Sequence, residues 1–139
     1  MLGYLLLCCH LVGDYLLQSQ AMADRKVTDF RWAVIHAMFY LLPFMVVPFV
    51  AGVDSVRWVV AVNIIFWSHA IIDRFRVAAR LAAWYGTGTR KSGIWAKYNV
   101  SQDDVPPFLS VWLTIIADNT LHLVINGVCV AWALMDKQA

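Results

Sequence analysis

Glutamate is missing from this 139-residue chain, so its acidic charge rests on nine aspartates alone. Charge of either sign is scarce: charged residues make up 14% of the chain and hydrophobic types 61%, with a mean hydropathy of +0.64. That balance excludes a solvated acidic or basic module, and no nucleic-acid partner is expected. Cysteine is limited to Cys8, Cys9 and Cys129, an odd number with no CxxC spacing, which excludes a disulfide framework or a thiolate zinc site. The three read as small packing residues. The chain also lacks an internal repeat, a low-complexity tract and a GxxxG motif, and Gly86 to Pro107 is too short for a soluble domain. No basic stretch precedes the first apolar run and no small-residue cleavage site follows it. That run is therefore expected to be a retained transmembrane helix rather than a secretory signal.

What the chain has instead is apolar blocks long enough to cross a bilayer. Four spans are expected, from Leu2 to Gln18, Arg31 to Val50, Val56 to Asp73 and Phe108 to Met135, giving an all-α, integral membrane four-helix bundle in one domain over residues 1–139. The basic residues sort by connection. Arg25, Lys26 and Arg31 flank the first, and Arg74, Arg76, Arg80, Arg90, Lys91 and Lys97 occupy the third; only Arg57 and Lys137 fall on the other side. The positive-inside rule then puts the first and third connections in the cytoplasm and both termini outside, in a bacterial inner membrane. Trp32, Trp58, Trp84 and Trp132 suit interfacial anchoring, Trp67 and Trp112 are expected inside the bundle, and Pro43 and Pro48 are expected to kink the second span.

Each acidic residue within these spans lies four residues from a histidine: His10/Asp14, His69/Asp73 and Asp118/His122. On a helix that spacing puts both side chains on one face. With nine aspartates in the chain, a given histidine meets one four residues away with a chance of roughly one in eight, so three such pairs are not expected by accident. The stripes extend further, through Gln18 on the first span and through Thr114 and Asn126 on the last. Such faces are costly against lipid and should line the bundle interior. His36 has no acid four residues away, only Trp32 and Tyr40, and joins the set because its depth from the cytoplasmic end matches.

Imidazole and carboxylate are ligands for divalent transition metals, zinc foremost and manganese or iron next. The seven candidate ligands are His10, Asp14, His36, His69, Asp73, Asp118 and His122, enough for one or two ions. Asp14 or Asp118 is expected to act as general base or acid, and His69, Asp73, Asp118 and His122 form the core of the expectation. The function this implies is a metal-dependent hydrolase of a lipid or other amphipathic phosphoester, ester or amide, with membrane lipids as partners and a homo-oligomer allowed. Two alternatives use the same residues or the same size: a divalent-metal or proton transporter, and a phage-type oligomeric membrane protein such as a holin or exclusion factor.

The stretch His10-Leu-Val-Gly-Asp14-Tyr-Leu-Leu-Gln18, the isolated His36, Ser68-His69-Ala-Ile-Ile-Asp73 and Asp118-Asn-Thr-Leu-His122 resemble a family of small bacterial and phage integral membrane proteins known only as a domain of unknown function. The resemblance covers nearly the whole chain. Its most specific part is the HxxGDxxLQ opening, and where the family commonly shows Asp-Gln before the last histidine this chain has Asp118-Asn119. More loosely, the Ser68 to Asp73 fragment is similar to membrane-bound metal-dependent hydrolases, including the alkaline ceramidase group, which use intramembrane His, Asp and Ser around zinc. Without that likeness, Ser68 reads as a helix serine bonded back to a carbonyl.

The third connection mixes Arg74, Arg76 and Arg80 with Phe75, Val77, Leu81, Trp84 and Tyr85, which predicts a cytoplasmic extension of the third helix or a helix in the interface. Arg76 follows Asp73 by three residues, so Arg76 and Arg80 are expected to meet a phosphate or acidic headgroup at the mouth of the site. Gly86 to Lys91 reads as a flexible loop, and Asp103 and Asp104 precede the helix that restarts at Pro106-Pro107.

Overall fold

A computed structural model describes residues 1–53, 55–85 and 107–135. All regular structure among them is helical, with no strand. The sequence-based readings of the Gly86 to Lys91 loop and of Asp103 and Asp104 fall outside the described residues. The chain divides into two compact units, Met1–Phe75 with His122–Ala139, and Arg76–Leu121.

The first unit opens with α1 (Leu2–Leu11), which runs without a break into a π-helical turn over Val12–Leu16. A short α2 (Gln20–Arg25) follows, started by Ser19, whose hydroxyl accepts from the Met22 amide at 3.3 Å. Asp29 caps α3 (Phe30–Leu41) in the same way, accepting from the Arg31 amide at 2.9 Å. Both caps occupy donors that the first helical turn leaves without intrahelical partners. Pro43 tightens the chain into a 3-10 segment over Leu42–Val46, α4 (Val47–Ala51) completes the second apolar block, and Gly52 ends it at φ 61, in the left-handed region.

Helix α5 (Ser55–Phe75) packs on α3 through small faces: Ala33, Ala37, Ala61 and Ala70 are buried and let the backbones approach. Tyr40, Phe44, Val47, Ile65 and Val130 fill the core. Outside it, Met38, Leu42, Val59, Ile64 and Val128 point away from the protein, the arrangement of helices solvated by lipid rather than water. Among the described residues, three helical stretches are long and apolar enough to cross a membrane: Phe30–Ala51, Val56–Phe75 and Val111–Leu134. Leu2–Leu16 is apolar and shorter. Trp67 and Trp112, expected inside, are 46% and 58% exposed, whereas Trp58, expected at the interface, is buried in the core.

In the second unit, Arg76 adopts φ 50, which interrupts the helix after Phe75, and α6 (Val77–Tyr85) begins on the next residue. Helix α7 (Pro107–Leu134) is the longest element, and its portion from His122 onward belongs to the first unit.

Candidate metal centre

Four buried side chains from three elements of the first unit converge. Asp14 comes from the π-helical turn, His36 from α3, and His69 and Asp73 from α5, with one ligand atom of each within 4.8 Å of all the others. His36 Nε2 stands 3.1 Å from Asp14 Oδ1 and 3.3 Å from Asp73 Oδ2. His69 Nε2 stands 3.3 Å from Asp73 Oδ2 and 3.9 Å from Asp14 Oδ1. A metal bound at the usual 2.0–2.2 Å holds tetrahedral donors about 3.3–3.6 Å apart, and the four His–Asp separations, from 3.1 to 3.9 Å, lie within a few tenths of an ångström of that range. The group can hold a metal ion.

Two features of the rings suit that role. His69 Nδ1 lies 3.3 Å from His122 Nδ1, so one of the two nitrogens donates and the other accepts. When His69 donates, its Nε2 lone pair faces carboxylates, which offer no proton, and a cation is the natural partner. His69 Nε2 in fact makes no aligned hydrogen bond, despite its 3.3 Å approach to Asp73, and His36 Nδ1 is likewise buried without one. Both nitrogens are thereby left with lone-pair or donor capacity that a bound cation could use.

The local sequence explains how the donors meet. A Cβ on Gly13 would sit 2.6 Å from the Tyr40 carbonyl oxygen, so only glycine lets the π-helical turn lie this close to α3. That approach brings Asp14 to His36. The wider π turn also alters the spacing assumed for His10 and Asp14: His10 Nδ1 lies 3.0 Å from Tyr40 Oη, and His10 stands apart from the four-donor group. Tyr40 Oη also accepts from Asn126 Nδ2 at 2.6 Å, and its ring stacks on His69 with centroids 3.7 Å apart. His122 Nε2 reaches within 3.7 Å of the other Asp73 oxygen, Oδ1.

Lys26, at the C-terminal end of α2, places Nζ 2.8 Å from Asp73 Oδ2 and 4.0 Å from Asp14 Oδ1. Neither Lys26 nor Tyr40 was singled out as a site residue by the sequence. Lys26 was absorbed into the positive-inside count, and the only signal for Tyr40 was its place four residues after His36. Ser68 Oγ donates to the Ile65 carbonyl at 3.0 Å, the back-bonded state of a helix serine. Asp118 is half-buried on α7, and Arg76 and Arg80 are exposed; these three belong to the second unit.

The fold and site together define an all-helical protein, with three helices among the described residues long and apolar enough to cross a membrane and a buried His/Asp cluster that could hold a metal. The chain belongs to the DUF3307 family, described as a protein of unknown function, whose family model matches residues 2–135. No curated protein and no solved structure gives a match.

Proposed function

We propose that the protein is a membrane-embedded, metal-dependent hydrolase of a lipid or other amphipathic phosphoester, ester or amide. The observation that carries this reading is the convergence of Asp14, His36, His69 and Asp73 with donor spacings close to those of a bound divalent ion. His36, His69 and Asp73 are the ligands, and Asp14, with Oδ1 on the His36 side, is the general base. When bound by these residues, a divalent ion would supply an acidified water and polarisation of a phosphoryl or carbonyl oxygen. Tyr40, stacked on His69, fixes that ring, and His122 holds it through the Nδ1–Nδ1 hydrogen bond.

The same proposal takes Leu2–Leu16 as a fourth, short span, completing a four-helix bundle in a bacterial inner membrane with the basic connections in the cytoplasm and lipids as its partners. Support comes from the apolar outer faces and the distribution of Lys and Arg. The test is product release from a panel of phospholipids, acyl esters and acyl amides by the metal-loaded protein. Asp14→Asn is expected to retain metal and lose about a hundredfold or more in turnover, the scale of a general base. Metal binding without turnover, accompanied by metal flux into proteoliposomes, would favour the transporter instead.

A further inference from the structure

Lys26 reaches the metal centre from outside the apolar helices, and its ammonium already touches the cluster, 2.8 Å from Asp73 Oδ2, while its side chain keeps 15% of its surface exposed. The backbone around it is held in place. The Thr28 and Asp29 amides donate to the Arg25 carbonyl at 3.0 and 2.8 Å, and Arg74 Nη1 donates to the Val27 carbonyl at 2.8 Å, tying the segment to α5. Movement is therefore left to the flexible four-carbon stem of the lysine.

Charge decides what that stem does. With neutral histidines, two carboxylates and one ammonium leave the cluster one negative charge, and a divalent ion on the same carboxylates turns this into one positive charge. The ion and the ammonium would then crowd the same Asp73 oxygen as like charges in a poorly solvated place. An anion bridging the two relieves both. A phosphate monoester suits best, since it carries close to two negative charges at neutral pH and several acceptor oxygens, and lysine is a compact phosphate binder.

Resting on the metal reading above, we infer that Lys26 is the anion-binding residue of this site and that the anion it takes is a phosphate dianion, carried by a monoester lipid headgroup or as free phosphate. In the metal-loaded protein the ammonium leaves Asp73 and takes a phosphoryl oxygen.

The test begins with metal stoichiometry in detergent for the wild type, Lys26→Met and Lys26→Arg, followed by calorimetric titration of the zinc- or manganese-loaded proteins. The ligands are inorganic phosphate and a short-chain phosphatidic acid in micelles. The dissociation constant is expected to rise at least tenfold in Lys26→Met and to recover partly in Lys26→Arg, with metal retained in both. Preference for phosphatidic acid identifies a headgroup, and preference for inorganic phosphate identifies the free ion. Equal affinities in wild type and Lys26→Met, or no binding of either ligand to loaded wild type, would overturn the assignment while leaving the metal centre standing. Absence of metal from the wild type overturns the metal reading first. Should Lys26→Met not fold, acylation of Lys26 in the wild type, read by peptide mass spectrometry, should rise on metal loading and fall when inorganic phosphate is added; no change would overturn the assignment.

Discussion

At the scale of single residues, the cluster ranks its histidines differently from the sequence. His36 lies between both carboxylates, whereas His10 bonds to Tyr40. His36→Ala is expected to abolish stoichiometric metal binding, and His10→Ala to leave it intact; equilibrium dialysis with zinc distinguishes the two. Tyr40→Phe removes the hydroxyl that Asn126 and His10 share. Leaving those buried groups short of a partner costs about 1–3 kcal/mol, so the thermal midpoint should fall while metal stoichiometry is kept. The sequence exposed the donors as residue types, because an acid inside an apolar run is visible without any structure. It could not assign partners. His36 finds Asp14 across two helices, and nothing in the spacing of one helix reports a neighbour on another. The roles expected for Asp118, Arg76 and Arg80 are open to the same test by single alanine substitution and turnover.

At the scale of elements, the meeting of the π-helical turn with α3 sets the position of Asp14. Gly13 is the contact point, and a methyl group there would press on the Tyr40 backbone, which cannot step aside as a flexible side chain could. Gly13→Ala should cost about 1–3 kcal/mol by overpacking and, by displacing the general base Asp14 from His36, lower turnover while metal is retained. Gly127→Ala is the control: open space surrounds its would-be Cβ, and alanine should be neutral or stabilising by up to about 1 kcal/mol in a helix. Thermal denaturation with and without zinc reads both effects. Apolar blocks made the long helices legible beforehand, and the prolines a departure from regular helix in the second block, though not its 3-10 form or the short α2. The π turn was not, since an extra residue in one helical turn leaves the apolar run unchanged, and the left-handed turn at Arg76 occurs at a residue type that gives no warning of it.

At the scale of the whole molecule, the question is whether Leu2–Leu16 crosses the bilayer. Fifteen residues of helix reach about 22 Å, less than a hydrocarbon core of roughly 30 Å, so the span requires local thinning or polar end groups that reach the interface. Four spans put both termini on one side, and three put them on opposite sides. Reporter fusions at each end are expected to locate both outside the cytoplasm. A cytoplasmic N-terminus with an external C-terminus would reduce the bundle to three crossings.

The buried metal centre is the claim on which the rest depends, and elemental analysis of the detergent-purified protein beside His69→Ala/Asp73→Ala tests it most directly. About one equivalent of zinc, manganese or iron in the wild type, lost in a double variant that stays folded, is the expected result. A folded wild type that carries no metal and takes up none when all three are supplied would contradict it.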